Sequence, residues 1–244
     1  MVNVAGAVGY RLSPLRPRFE RLARRRSRRS FIRRVRFAAA WSRATVDLQV
    51  GHDVLISRKV RVTFKSGSIN VLHVAEGTTM SPGVQIQLKG GEVRLGPRVD
   101  LRHNVVLNIS GRLELVGDNP VSWGSVIHCS NAVTLQAMAG VAERVTIADS
   151  SHFFTEPDQW FYHNVKLGKV DVGTNTWLCP NSVLTRFAQV GDHCIVAAGS
   201  VVIGTVPSGH LASGVPATAT KLDLPWETPS PAPRRKGARQ GAAQ

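Results

Sequence analysis

A six-residue repeat of apolar residues limits how this chain can fold more than any other feature. From Val172 to Val202 an aliphatic residue stands at every sixth position, and a small residue follows four positions after each of the first five. The aliphatic positions are Val172, Leu178, Leu184, Val190, Val196 and Val202, and the small positions are Thr176, Ser182, Ala188, Cys194 and Ser200. A period of six fits neither the 3.6-residue period of a helix nor the two-residue alternation of a single strand. It predicts short strands on the three faces of a triangular prism, with aliphatic residues inside and small residues at the corners.

The same register recurs upstream with interruptions. The upstream triplets are Val50/Ile56/Val62, Val74/Met80/Ile86, Leu95/Leu101/Leu107, Val116/Ser122/His128 and Val141/Ile147/Phe153. With the triplets that begin at Val172 and Val190, they predict an all-β fold, a parallel β-helix of about seven coils in which each turn covers its neighbour. Residues 154–171 break the period, and insertions in a solenoid emerge as loops from one face. We therefore expect a protruding loop there, rich in aromatic residues.

The positive charge of the chain lies at its ends. The formal net charge is +15; residues 1–45 hold 13 arginines and one acid, whereas residues 46–221 hold 14 basic and 13 acidic residues. We divide the chain into an Arg-rich extension over 1–45, compatible with a helix over 15–41, a β-helix domain over 46–221 and a disordered tail over 222–244. The extension has three interpretations: binding to anionic lipid headgroups, a solvated arm without a partner, or binding to nucleic acid. Bulky residues among the arginines favour the membrane, namely Phe19, Leu22, Phe31, Ile32, Val35, Phe37 and Trp41.

The sequence also argues against several classes of protein. No apolar run approaches the roughly 20 residues that a membrane-spanning helix needs. The Arg-dense N-terminus lacks the apolar segment of a secretory signal. Cys129, Cys179 and Cys194 are an odd number of cysteines without CxxC spacing, which argues against a disulfide framework or a zinc ribbon. We therefore expect a cytoplasmic protein, with attachment to the inner face of the membrane left open.

The repeats resemble those of a known family. Val172–Val202 reads VGTNTWLCPNSVLTRFAQVGDHCIVAAGSVV and is followed by VPSGHLASGVPATATK. Both segments are similar to the hexapeptide-repeat acyltransferases, and most similar to the sugar and polysaccharide O-acetyltransferases among them. The resemblance implies left-handed coiling, a homotrimer with active sites between neighbouring prisms, and an acyl-CoA such as acetyl-CoA as co-substrate, with no permanently bound cofactor. A metal site is not predicted, because the zinc enzymes on this kind of prism pair histidines five residues apart and no two of the eight histidines here have that spacing.

The resemblance also assigns site residues. His152 stands where the family has its catalytic histidine, and imidazole is a natural base for a hydroxyl near neutral pH. Asp149 is assigned either to orienting that imidazole or to capping a turn. Donor contacts are assigned to Trp177, Ala197, Ala198, Gly199, Gly204 and Lys221. The chain departs from the family at Ile203-Gly204 and at Thr218, where relatives have residues that bind the donor's phosphates.

These residues predict an acyl-CoA-dependent O-acyltransferase, acetylating a sugar hydroxyl of a bacterial glycan or glycan precursor with His152 as general base. Two alternatives stay open. One is N-acylation of a nucleotide-linked amino sugar, in which the amine needs less help from a base. The other is a trimeric scaffold without catalysis, which the missing phosphate partners favour and His152 opposes.

Overall fold

The structure of the chain, a computed structural model, describes residues 17–223, and side chains from residue 22 onward. It consists of one long helix followed by short strands. The helix α1 spans Pro17–Trp41. The strands are β1 Thr45–Val50, β2 Leu55–Ile56, β3 Arg61–Phe64, β4 Ile69–Val74, β5 Thr79–Met80, β6 Gln85–Leu88, β7 Glu92–Leu95, β8 Asp100–Leu101, β9 Val106–Ile109, β10 Arg112–Leu115, β11 Pro120–Val121, β12 Val126–Cys129, β13 Ala132–Leu135, β14 Gly140–Val141, β15 Thr146–Ala148, β16 Ser150–His152, β17 Val165–Leu167, β18 Lys169–Val172, β19 Trp177–Leu178, β20 Val183–Leu184, β21 Gln189–Val190, β22 Ile195–Val196, β23 Val201–Val202, β24 Thr205–Val206, β25 His210–Gly214 and β26 Ala217–Lys221.

Three sheets form the sides of the prism. Sheet A has the order β1-β4-β7-β10-β13-β18-β21-β24, sheet B has β2-β5-β8-β11-β14-β19-β22-β25-β26, and sheet C has β3-β6-β9-β12-β15-β20-β23. The chain visits A, B and C in turn, and within these three sheets every strand pairs in parallel with the strand one coil away, except the antiparallel pair β25–β26. Eight strands in sheet A correspond to eight turns. The predicted parallel β-helix is therefore confirmed, with one turn more than the repeats indicated.

Inward-facing side chains follow the predicted register in most coils. All six aliphatic residues from Val172 to Val202 are buried, and so are the five small residues at the corners between them. Alternation along each strand produces this pattern: β9 and β12, for example, alternate half-buried and buried residues. Successive coils thereby share one continuous core.

The predicted register of the fourth coil is wrong by one residue. Leu115, Val121 and Ile127 are fully buried, whereas Val116 is 38% exposed. Leu115 pairs with Leu95, so the preceding coil has 20 residues rather than 21. Because side chains alternate in a strand, a shift of one residue moves each of them to the other face. His128 consequently points outward, where its Nδ1 lies 3.1 Å from the Asn108 amide nitrogen.

Asn119 explains why the pattern misled at this coil. It fills a corner position that the repeat reserves for a small residue, and it is fully buried. Its amide oxygen accepts a hydrogen bond from Gly117 N, and its nitrogen donates to the carbonyls of Gln136 and Ala139. A polar residue is tolerated there because all its hydrogen bonds are satisfied. The fifth coil likewise begins at Leu135, which pairs with Leu115, and not at Val141; Phe153 lies outside the core.

Helix α1 covers the open end of the first coil. Phe31, Val35 and Ala39, on one stripe of the helix, are buried in the same core as the strands, as expected of an amphipathic helix that lies on a sheet end. The predicted boundary at residue 45 therefore does not separate two cores. Phe31 and Val35 are not available to a membrane. Most of the predicted disordered tail, from residue 224 on, and residues 1–16 lie outside the described residues. Within 17–223, no helix is sufficiently long and apolar to cross a bilayer.

Candidate active site

The protruding loop leaves the prism where sheet C gives way to sheet A. Its root is an antiparallel ribbon of β16 and β17, in which Ser150 pairs with Leu167 and His152 with Val165. The chain rejoins sheet A at Lys169, opposite Ala132. The loop thus ends at residue 168, three residues before the predicted limit of 171, because Val170 is already buried in the core.

His152 stands at the end of the first ribbon strand, exposed to solvent. Its ring meets the rings of Phe161 and Tyr162 at centroid distances of 5.4 and 5.3 Å, edge to face in both cases. Trp160 packs on Tyr162 at 5.2 Å. Within residues 17–223, no hydrogen bond or ion pair engages the imidazole. The two aromatic rings therefore restrict the orientation of the imidazole, and neither of its nitrogens is hydrogen-bonded within the described residues.

Asp149 is directed into the prism rather than towards His152. It is fully buried, and its two carboxylate oxygens accept hydrogen bonds from the backbone N–H groups of Ser130 and Asn131, both at 2.7 Å. A hydrogen bond from Gly168 N to Asp149 O at 2.7 Å ties the two ends of the loop together. Burial first, and then the Asp149 carboxylate, raise the pKa of the neighbouring Cys129 thiol. The geometry gives Asp149 the role of anchoring the loop to the preceding coil, and no described hydrogen bond links it to His152.

The residues assigned to the acyl donor lie on a different part of the prism. Trp177 on β19 is 53% exposed and pairs with Ile195, one coil below it in sheet B. Ala197, Ala198 and Gly199 form the turn that follows β22, and a Cβ placed at Gly199 or Gly204 would meet no atom within 4 Å. The backbone at these glycines is therefore open to an approaching ligand. Gly199 also has a φ of +70°, a conformation that favours glycine for its own sake.

One chain does not bring the two halves of the candidate site together. His152 lies at the junction of sheets C and A, whereas Ala197–Gly199 lie at the junction of sheets B and C. Lys221 is exposed on the terminal strand β26, paired with His210. A site that uses all of them has to be completed by a neighbouring chain.

Sequence reasoning missed the contacts that surround the histidine. Trp160, Phe161 and Tyr162 were recognised as an irregularity of the repeat, but not as the packing around His152. Lys166 Nζ also lies 4.6 Å from the centre of the Phe153 ring, across the ribbon. The sequence gives little sign of the ribbon, because its strands are only three residues long and Ser150–His152 has no alternation of polar and apolar residues.

Comparison with curated proteins finds relatives by sequence, while no protein-family model matches the chain. GlmU of Streptococcus agalactiae, a bifunctional protein, is 26% identical over 177 residues, which are 69% of this chain and 30% of GlmU. SAV2555 of Staphylococcus aureus, an inferred acetyltransferase, is 31% identical over 80 residues, 30% of this chain and 40% of that protein. The chain thus spans less than half the length of these curated relatives.

Solved structures share the fold. The polySia-specific acetyltransferase NeuO superposes with a TM-score of 0.56 at 17% identity, over 74% of this chain and 81% of NeuO. A mutant of AntD, an N-acyltransferase from Bacillus cereus in complex with dTDP and coenzyme A, superposes with a TM-score of 0.51 at 18% identity, over 72% of this chain and 84% of AntD. The resemblance of this chain to the hexapeptide-repeat acyltransferases, predicted from its repeats, is therefore confirmed, and the chain has their β-helix fold.

Proposed function

We propose that the protein is an acyl-CoA-dependent O-acyltransferase that acetylates a sugar hydroxyl, with His152 as its general base. The observation that carries the proposal is the exposed imidazole at the root of a loop, held between Phe161 and Tyr162 with its nitrogens unengaged, on a hexapeptide-repeat β-helix. The acetyltransferases and acyltransferases among its relatives and structural neighbours support it.

The imidazole would act directly on the attacking hydroxyl. One ring nitrogen of His152 takes the hydroxyl proton as the oxygen attacks the thioester carbonyl, and backbone N–H groups stabilise the resulting oxyanion. Collapse of this intermediate breaks the carbon–sulfur bond, and the proton passes from the imidazolium to the departing thiolate.

The donor is assigned to the open backbone at Ala197–Gly199, beside Trp177. A slender pantetheine arm can lie along a turn that presents no side chain larger than a methyl group. Ile203 is 58% exposed and carries no charge where relatives bind phosphate. Lys221, on β26, is the cation of this region that we assign to the donor.

A homotrimer would complete the site. The outward positions of sheet C include a row of half-buried valines, Val106, Val126, Val183 and Val201. Those of sheet A are charged on neighbouring strands, with Glu92, Arg94, Arg112 and Glu114. A solvent-facing β-face is normally polar, so the valine row marks sheet C as the face that a neighbouring chain covers. We call the open backbone at Ala197–Gly199 the donor strip. Such a contact would bring His152 of one chain towards the donor strip of another.

The exposed face of α1 supports attachment to an anionic membrane surface. Arg25, Arg29, Arg33 and Arg36 are exposed, and Phe37 stacks on Trp41 at 6.3 Å, both in solvent. Each such base near an anionic bilayer contributes about 1 kcal/mol, and aromatic rings suit the interface. Co-sedimentation with phosphatidylserine vesicles that weakens with added salt tests this attachment.

A thiol-release assay with acetyl-CoA and a panel of oligosaccharides tests the enzymatic proposal. We expect His152→Ala to lower turnover by roughly two to four orders of magnitude, the usual loss for a general base, with little change in the affinity for acetyl-CoA. His163→Ala is the matched control, since His163 lies in the same loop and its ring packs against Trp160, at a centroid distance of 6.2 Å.

Three outcomes contradict parts of the proposal. Wild-type turnover in His152→Ala would exclude this residue as the base. Activity confined to amino sugars would replace O-acylation with N-acylation. A wild-type protein that neither binds acetyl-CoA nor releases thiol with any acceptor would point to a scaffold.

A further inference from the structure

The turns between sheets B and C stack into a continuous edge. They lie at residues 58–59, 82–83, 103–104, 123–124, 143–144, 180–181 and 198–199, and we call this line the B–C edge. Backbone hydrogen bonds join neighbouring turns from 82–83 downward: Asn104 N to Pro82 O, Gly124 N to His103 O, Arg144 N to Trp123 O, Asn181 N to Glu143 O and Gly199 N to Pro180 O. The open backbone assigned to the acyl donor is the lowest of these turns. Whatever binds higher on the edge therefore lies in line with the donor.

The upper part of the B–C edge has cations without counter-charges. Arg58, Lys59 and Arg61 are exposed, and within residues 17–223 none of them takes part in an ion pair. They line a groove with Gln85, His103 and Asn104. Glu143 is the only carboxylate in the seven turns. This distribution leaves a groove of positive potential.

The opposite edge, between sheets A and B, shows that this is not a general property of the corners. There Arg98 forms a two-pronged pair with Asp118, at 2.6 and 2.5 Å. Asp53, Glu76 and Asp192 lie in other turns of the same edge. On that edge the positive charge of Arg98 is neutralised by a carboxylate of the same chain. On the B–C edge, Arg58, Lys59 and Arg61 have no such carboxylate among the described residues.

Arg34 of α1 shows the same lack of counter-charge at the top of the groove. Burial and, secondly, the charge of Arg58 lower the pKa of its guanidinium. Two of its nitrogens donate to the carbonyls of Ser57, Arg58 and Val60, while its buried Nε has no hydrogen-bond partner among the described residues. An anion bound beside Arg58 would offset this repulsion.

An aromatic platform lies between the cations and the donor strip. Trp123 is 54% exposed, and the ring of His103, one turn above it, meets it edge to face at 5.9 Å. Coils lie about 4.8 Å apart, so the turn at 58–59 is on the order of 14 Å above Trp123 and 29 Å above Gly199. A single sugar cannot contact both the cations and the platform.

We propose that the upper B–C edge binds the acceptor as an anionic polysaccharide chain, whose sugars stack on Trp123 and whose acidic groups lie against Arg58, Lys59 and Arg61. This deepens the proposed function and rests on it for the identity of the bound chain as an acceptor. The chain would run down the edge towards the donor strip, where a hydroxyl meets the thioester and His152 of a neighbouring chain.

A pair of triple variants tests the proposal by binding alone. Arg58→Gln/Lys59→Gln/Arg61→Gln removes the three groove cations, and Lys65→Gln/Lys89→Gln/Lys169→Gln removes three exposed cations elsewhere. Affinity for fluorescent polysialic acid and for neutral dextran of equal length is measured by anisotropy at fixed salt, with no acyl donor present. We expect the groove variant to lose at least about 10-fold in affinity for polysialic acid and the control to lose less than about 3-fold. Both variants lose the same net charge, so a difference between them reports the position of the cations and not the overall charge of the protein. Dextran should bind weakly to all three proteins.

Other probes identify the chain and can overturn the proposal. Preference for a carboxylated chain or for a phosphate-linked teichoic acid would each support it and name the acidic group. Equal losses in the two variants, equal binding of dextran, or tighter binding of a single-stranded RNA of equal charge would overturn it. If acyl transfer is absent but the groove-specific loss is present, the proposed function fails and the binding edge stands. In an active enzyme, the groove variant should raise KM for the polymer and leave KM for acetyl-CoA unchanged.

Discussion

The two ends of the β-helix are closed by different means. At the N-terminal end, α1 buries Phe31, Val35 and Ala39 and supplies side chains to the backbone groups that the first coil leaves unpaired. At the C-terminal end, β26 pairs with β25 along five residues, and four of its own five residues are exposed. A parallel solenoid exposes a row of N–H and C=O groups at each end, which repeat proteins must cover. One end is covered by core and hydrogen bonds together; the other is covered mainly by hydrogen bonds, and Ala217 is the residue of β26 that packs against the core.

The N-terminal end uses polar residues where a strand would otherwise pair. The Ser27 hydroxyl donates to Ile56 O at 2.9 Å and accepts from Ile56 N at 2.6 Å. Arg28 donates to the carbonyls of Val50 and Gly51. The arginines from residue 22 to the end of α1 are thus of two kinds: those facing the coil donate to its carbonyls, and those facing solvent form no hydrogen bond or ion pair within the described residues.

The largest expected effect is at the buried contact of the cap. We expect Phe31→Ala to lower the free energy of unfolding by about 3–5 kcal/mol, because a fully buried phenyl ring is lost and a cavity remains. Phe37→Ala removes the same group from solvent on the same helix, and should change it by less than about 0.5 kcal/mol. Urea denaturation followed by circular dichroism measures both. Equal, small effects would mean that α1 is not part of the folded core.

A pair of arginines separates capping from attachment to a partner. Arg28→Ala should cost about 1.5–3 kcal/mol of stability, the range for hydrogen bonds to a charged group, and leave vesicle binding nearly unchanged. Arg33→Ala, on the solvent face, should leave stability unchanged and weaken binding to phosphatidylserine vesicles by about 1 kcal/mol. Denaturation and vesicle co-sedimentation on both variants distinguish the roles. If both variants bind vesicles as tightly as the wild type at low salt, attachment of the solvent face of α1 to an anionic membrane is contradicted.

The sequence predicts the repeating strands better than it predicts the contacts that cover the N-terminal end. Strand positions repeat because each coil covers the next, so Leu178 or Val196 could be placed from spacing alone. The contacts of Ser27 and Arg28 link residues 22 to 29 positions apart with no period, so an Arg-rich helix gave no sign of which side faces the coil. The register of the fourth coil was predicted wrongly at Asn119, because an amide whose hydrogen bonds are all formed is tolerated at a corner as well as a small residue is.

The candidate site follows the same division. The resemblance assigns His152 and the donor contacts because they fall at fixed places in the repeat, and these roles stay predictions. It left Asp149 open between orienting the imidazole and capping a turn; the carboxylate accepts hydrogen bonds from the backbone N–H groups of Ser130 and Asn131, a contact that the sequence alone does not indicate. The B–C edge could not be predicted, because Arg58, His103 and Trp123 come to lie along one edge only when coils of unequal length are stacked.

Of the two ends, the C-terminal one should contribute less to stability. Truncation after Pro216 removes β26 and all that follows it. We expect the free energy of unfolding to change by less than about 1 kcal/mol, because a net 0.5–1.5 kcal/mol per hydrogen bond is largely offset by the 1–2 kcal/mol per residue needed to order an exposed strand. A loss as large as that of Phe31→Ala would mean that the two ends contribute equally to stability, which contradicts the comparison drawn from their burial.

Lys221 is lost with the strand, so the truncated enzyme should show a KM for acetyl-CoA raised by several-fold. Lys221→Gln in the full chain is the matched control: it should reproduce the change in KM without any change in unfolding, and an unchanged KM in both would remove Lys221 from the donor site.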